Sequence, residues 1–357
     1  MFAKSILTKG GNVFRDERSL AFGGTDEYLD CGNNHNLGTS DFTITAWVKA
    51  SDFNLVYIVS KRQDNDNRYY LRCTDENPPI MHFYSKIDGA NEVSYIGGSS
   101  INLDNLQNQW VHFAISADRD GNIVGYINGI LDDTETADAT NIDNTGDFYI
   151  GRFSSTYSEC NISEVAIYNS ALSANQVKTL YNGREPYNHK EGVASGNLQS
   201  WYRMGDGALD DFNLIGDETN ATLGSNLITN GTFDADSDWS KGTGWTIGSG
   251  VVTCSSDNNN LTQDVSAVAN KVYKINFDIT AYTSGTLAID VGGSSNIQFS
   301  GSTGNFTGYM LTANTNDLRL YGGAFRGSID NITLQEVGGN SGVMQNMEIT
   351  DFEGDTP

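Results

Sequence analysis

No run in this chain approaches the roughly 18 consecutive apolar residues of a membrane span. Its opening, MFAKSILTKGGNVFRDERS, holds only the short apolar pair Ile6-Leu7 before two glycines. A secretory signal needs an apolar core of about 7–15 residues, so the expectation is synthesis in the cytoplasm with no signal peptide. Basic residues are scarce, 21 Lys and Arg against 45 Asp and Glu, for a net charge of −24. Nucleic acid and anionic membranes both require a basic footprint, and this balance excludes them as partners. Only four cysteines occur, Cys31, Cys73, Cys160 and Cys254, with no C-x-x-C among them. That scatter argues against a disulfide framework and fits a reducing compartment. The four histidines, His35, His82, His112 and His189, are single and lie near no cysteine pair, which argues against zinc. His112, in QWVHFAI, reads as a packed strand residue.

Catalytic signatures are missing as well. There is no G-x-S-x-G, no H-E-x-x-H and no P-loop. Glycoside hydrolysis needs two carboxylates flanking the scissile bond, about 5–5.5 Å apart for retention and about 6.5–9.5 Å for inversion. On a strand such a pair shows as acidic residues at i and i+2 or i+4, and no E-x-D-x-E pattern is present. The chain is therefore read as no enzyme.

What is abundant is the vocabulary of β-structure: 39 Gly, 17 Tyr and 16 Phe, with only 4 Pro. DFTITAWVKAS alternates as a half-buried strand, with Phe42, Ile44, Ala46 and Val48 on one face. SLAFGG and EYLDCG read as a first strand pair, followed by LVYIVSKR, NRYYLRCT, IMHFYSK, QWVHFAISAD and NIVGYINGI. The turn Asp120-Gly121 between the last two is a strong hairpin signal. SALSANQVKTLYNG is the one convincing helix, with Ser173 as N-cap, Val177 and Leu180 on one face and Gly183 as a stop. A second strand series runs from NLITNGTF to SIDNITLQEV. The expectation is an all-β protein of two β-sandwich or jelly-roll domains in series with a short connector and extended termini. Its parts are an N-terminal arm (1–18), a first sandwich (19–183), a connector (184–225) with one docked strand, a second sandwich (226–337) and an acidic tail (338–357).

In the second series, sugar binding would call for exposed aromatic faces beside amides and carboxylates. Trp239 in the loop DSDWSKGTG, Tyr321 before two glycines and Tyr282 are the candidates, while Trp245 reads as core. Hard cations want carboxylate and loop carbonyl oxygens. Asp26 in Gly24-Thr25-Asp26-Glu27, Asp234 after NGTF and Asp330 in SIDNITL are the candidate ligands for a structural calcium. The competing reading of each is a solvated or turn-capping carboxylate.

The ordered motifs SLAFGGTDEYLDCG, DFTITAWVKAS, IVSKR, QWVHFAISADRDGNIVGYINGI, FYIGR and ISEVAIYNSALSANQVKTLYNG resemble the laminin G-like, concanavalin A-type jelly rolls. That resemblance places the calcium loop at Asp26, but many relatives have an Asp where this chain has Ser163 before Glu164, which counts against a metal there. NGTF, GWTI and IDNITL resemble carbohydrate-binding-module sandwiches, in which the position of Asp330 serves a structural calcium. The combination, with LQSWYRMGDG and MQNMEITDFEGDTP, resembles structural proteins of tailed phages, especially marine ones. It implies a virion surface protein, a capsid decoration or tail-fibre component. Such a protein assembles with other virion proteins, self-associates, commonly as a trimer, and touches polysaccharide on host or environmental surfaces. The arm or the acidic tail would attach it to the particle. The alternatives are an extracellular bacterial glycan-binding or adhesion protein and a non-catalytic accessory chain of a polysaccharide hydrolase.

Overall fold

The computed structural model describes residues 14, 16–98, 101–220, 222–255, 259–294, 297–315, 317–322 and 324–357. They form an almost entirely β structure of two pairs of facing sheets, each pair closed over its own apolar core. Most of the N-terminal arm lies outside the described residues.

In the first pair, one sheet runs Ile130–Thr136, Asn122–Ile127, Val111–Ala117, Phe42–Lys49, Glu159–Tyr168, Ser19–Gly23 and Phe352–Glu353. The facing sheet runs Leu214–Ile215, Gly342–Gln345, Tyr28–Asp30, Asp147–Ile150, Tyr57–Arg62, Arg68–Cys73, Met81–Ile87 and Ala90–Ile96. Alternation sends Phe42, Ile44, Ala46 and Val48 into the core between the sheets, as the sequence pattern requires. The opposite side of that strand is buried too, which the pattern alone does not show. Trp47 stacks on Tyr181 with ring centroids 5.6 Å apart, and the Thr43 hydroxyl donates to the Ser170 carbonyl at 2.7 Å.

The cover on that side is the helix Ala174–Tyr181. Ser173 caps it in a reciprocal capping box with Gln176, Asn182 ends it in the left-handed conformation, and Val177 and Leu180 are buried. The strand Leu198–Tyr202 of the connector docks beside it, pairing Val165 with Tyr202 and Ala166 with Trp201.

Two expectations differ from the structure. SLAFGG and EYLDCG do not pair; Ser19–Gly23 joins Glu159–Tyr168 in one sheet and Tyr28–Asp30 joins Asp147–Ile150 in the other. The turn Gly24-Thr25-Asp26-Glu27 thus carries the chain across the sandwich. Residues 338–357 are not simply an extended tail. Gly342–Gln345 pairs with Tyr28–Asp30, Phe352–Glu353 pairs with Ser19–Gly23, and Met344 and Met347 enter the first core. The apolar side chains of GVMQNM outweigh the acidity of the segment and cover two open sheet edges.

The second pair combines a six-stranded sheet centred on Val272–Ser284 and Arg326–Val337 with a five-stranded sheet. The latter is ordered Ser240–Lys241, Asn260–Gln263, Leu318–Tyr321, Thr286–Val291, Ile297–Ser300. Ile275, Phe277 and Ile279 face Leu261, Leu287, Ile289 and Leu320 across its core. A smaller apolar cluster, Leu214, Val272, Tyr309, Val337 and Val343, joins residues of the two pairs, and Tyr309 donates to Asp211 at 3.1 Å.

Candidate functional site

The five-stranded sheet presents two polar rows on the side away from its core. Its strands alternate, so Leu261, Leu318, Leu320, Leu287 and Ile289 point inward and their neighbours outward. The first row, set by register, is Asn260, Tyr321, Ala288 and Gln298. The second is Thr262, Arg319 and Asp290. The small Ala288 beside Tyr321 puts no bulky side chain against the ring on that strand.

Asp290 ties the rows together. Its Oδ2 accepts the Tyr321 hydroxyl at 2.6 Å, and its Oδ1 lies 3.4 Å from Arg319 Nε, an ion-pair contact without hydrogen-bond geometry. The carboxylate is nearly enclosed, with 4% of the residue exposed, whereas Tyr321 and Arg319 are half-buried. Partial burial, then the hydrogen bond and charge of Asp290, raise the Tyr321 phenol above its usual range. A half-exposed ring held in place at its hydroxyl, with a guanidinium, amides and a hydroxyl around it, can stack on a sugar ring and exchange hydrogen bonds with its hydroxyls.

The other two aromatic candidates lie elsewhere. Trp239 is a core residue: it packs on Phe233 at 5.4 Å, and its Nε1 donates to the Asn230 carbonyl at 3.1 Å. Its loop folds back onto the sandwich, so the polar surroundings in DSDWSKGTG do not expose the ring. Tyr282 belongs to the six-stranded sheet, packs against the core beside Phe325 and donates to the Gly285 carbonyl at 3.0 Å. Neither shares the Tyr321 face.

The three candidate calcium ligands do not converge. Asp26 lies in an exposed turn whose amides donate to Glu27 Oε2, Asp234 accepts the Thr232 hydroxyl at 2.7 Å, and Asp330 accepts the Asn331 amide at 2.7 Å. Among the described residues no three His, Cys, Asp or Glu side chains gather as a metal cluster. Glu164, next to the departure at Ser163, is likewise engaged: Trp201 Nε1 donates to it at 2.5 Å and Arg203 Nε at 3.3 Å.

That engagement belongs to a buried acidic group that sequence reasoning missed. A bulge between Ser163 and Ala166 puts Glu164 at φ 52° and turns its side chain under Trp201. Asp16 lies against Glu164 and Asp206, while Phe14 packs on Trp201 at 5.8 Å with Arg203 over its ring. Burial, reinforced by the charges of Glu164 and Asp206, pushes Asp16 up to about 10; burial, opposed by Arg203, leaves Glu164 at about 7. The group packs against Phe14, Trp201 and Arg203 and does not have the layout of a glycosidase pair. The local signal was the lone acid inside the apolar strand ISEVAIY.

His112 is a packed strand residue, 1% exposed. Burial holds His35, His112 and His189 at about 3, and burial with the Arg72 charge holds His82 at about 4. All four cysteines are buried and none forms a disulfide.

Residues 22–178, under half of the chain, match the family described as the concanavalin A-like lectin/glucanases superfamily. No curated protein matches the chain. Among solved structures, the binding domain of Paraclostridial Mosquitocidal Protein 1 is similar at 20% identity and a TM-score of 0.34, over 42% of this chain and 38% of that one. The heptameric SAP-like pentraxin of Limulus polyphemus matches at 20% identity and a TM-score of 0.38, over 49% of this chain and 87% of the pentraxin. The CBM40 of the Ruminococcus gnavus IT-sialidase matches at 12% identity and a TM-score of 0.37, over 46% of this chain and 96% of that module. The chain thus spans well under half the length of the first of these.

Proposed function

We propose that this chain is a non-enzymatic glycan-binding protein and that the Tyr321 face is where it holds its sugar. The carrying observation is the triad Tyr321, Asp290 and Arg319: a half-buried ring fixed at its hydroxyl by a buried carboxylate, amid outward polar side chains. The proposal extends to place. The protein serves on the surface of a tailed-phage virion, self-associated and bound to other virion proteins, and meets polysaccharide on host or environmental surfaces. The ordered motifs and the four buried cysteines without disulfides, which suit assembly in a reducing cytoplasm, support this reading.

Two experiments test the two halves. Mass spectrometry of gradient-banded phage particles from the source is expected to find the chain in many copies. Absence from particles removes the virion half and leaves a bacterial glycan-binding protein. A glycan array probed with the whole chain is expected to show binding that Tyr321→Ala abolishes.

A further inference from the structure

The sheet of the first sandwich carries, on the side away from its core, a charge pattern unrelated to the Tyr321 face. The strands Tyr57–Arg62, Arg68–Cys73 and Met81–Ile87 set Arg62 directly opposite Arg68, and Arg68 directly opposite Lys86. The intervening Tyr69 and Leu71 point into the core. Like charges facing each other across antiparallel strands destabilise the sheet, and a chain with 45 acidic residues has ample means to avoid them.

The two outer cations have local partners. Arg62 donates to Asn65 at 2.8 Å and faces Asp147 on the next strand, and Lys86 lies 2.6 Å from Asp66. The central one does not. The Arg68 guanidinium rests over the Tyr84 ring at 5.6 Å, its Nε is enclosed without a hydrogen bond, and among the described residues it enters no ion pair. The neighbouring row supplies the second element: Tyr70 lies opposite Tyr84 with the rings stacked at 5.4 Å.

We infer that this face binds an acidic polysaccharide, whose carboxylate or sulfate groups lie over Arg62, Arg68 and Lys86 while a sugar ring rests beside the half-buried Tyr84, which the buried Tyr70 backs. A guanidinium fork matches a planar oxyanion, and an anion placed there removes the repulsion within the row. The half-buried Tyr84 provides apolar ring surface of the kind that saccharide C–H faces cover. The overall charge of −24 repels any polyanion at long range, so binding rests on this local row of cations. This site goes beyond the Tyr321 reading and stands or falls separately from it.

The test is native affinity electrophoresis of the whole chain in gels containing polygalacturonate, dextran sulfate or uncharged dextran. The expected result is retardation by one or both polyanions, which distinguishes carboxylate from sulfate recognition. Tyr321→Ala should leave that retardation unchanged, and Arg68→Gln should weaken it at least about tenfold. Arg68→Gln should also melt no lower than the parent, because it relieves like-charge contacts, whereas a purely structural arginine would lower the melting temperature when lost. No retardation by either polyanion, or retardation indifferent to Arg68→Gln, overturns the inference.

Discussion

Tyr321 donates a hydroxyl hydrogen bond to Oδ2 of Asp290, 2.6 Å away across two neighbouring strands, and so converts an edge-of-turn tyrosine into a fixed ring. Removing that hydroxyl separates positioning from stacking. Tyr321→Phe leaves a nearly enclosed carboxylate without one partner, at an expected cost of about 1–3 kcal/mol. The ring stays, so glycan binding weakens modestly, whereas Tyr321→Ala loses binding outright. Denaturant melts and array binding of the two variants check this.

Trp239 provides the converse. As a core ring against Phe233, its replacement by Ala is expected to destabilise the second sandwich by about 3–5 kcal/mol. Glycan binding by the fraction that remains folded should be unaffected. A Trp239→Ala protein that is stable yet fails to bind would return that residue to the site.

The returning C-terminal strands predict that removal of residues 342–357 damages the first sandwich and not the second. The truncation deletes Met344 and Met347 from the core, and it removes Asp355, which pairs with Lys49 and accepts Trp110 Nε1 at 3.1 Å. It also opens the edges of Tyr28–Asp30 and Ser19–Gly23. Hydrogen exchange should show lost protection in the strand Asp147–Ile150 and unchanged protection in Thr286–Val291, which lies in the far sheet of the second sandwich.

Buried titratable groups set the pH response from both sides. Burial raises Asp16 to about 10 and both Glu164 and Asp30 to about 7. Acids raised in this way stabilise the fold most below about pH 4, and that contribution is lost as pH climbs through the folded values. The four depressed histidines act oppositely, at full strength above about pH 6.5 and losing stability as pH falls toward about 3–4. Melting temperature is therefore expected to peak on the mildly acidic side of neutrality. Between about pH 7 and 10 it should fall in the parent, and fall less in Asp16→Asn. A flat alkaline limb in the parent would contradict the buried acidic group.

Since no three acidic side chains gather among the described residues, adding calcium or a chelator is expected to move the melting temperature by less than about 1 °C. A calorimetric titration with calcium that shows saturable heat would overturn this.

Much of the fold was legible in the sequence because alternation and capping are local. The helix begins at Ser173 because its hydroxyl and the Gln176 side chain reciprocate, and the turn before Asn122 closes a hairpin as Asp-Gly pairs do. What could not be read depends on partners distant in the chain. The pairing of Leu29 with Met344 spans almost the whole sequence, and nothing near either residue announces it. The partial exposure of Tyr321 was legible because a strand-end tyrosine before glycines stays partly open. Trp239 was misread because a polar loop does not reveal which way its ring turns. The row Arg62, Arg68 and Lys86 emerges only once strand register is known.

The most direct test is a glycan array probed in parallel with the parent, Tyr321→Ala and Arg68→Gln. The account predicts that the parent binds, that Tyr321→Ala loses those ligands and that Arg68→Gln keeps every uncharged one. A parent that binds no glycan, or a Tyr321→Ala protein that binds as the parent does, would contradict it.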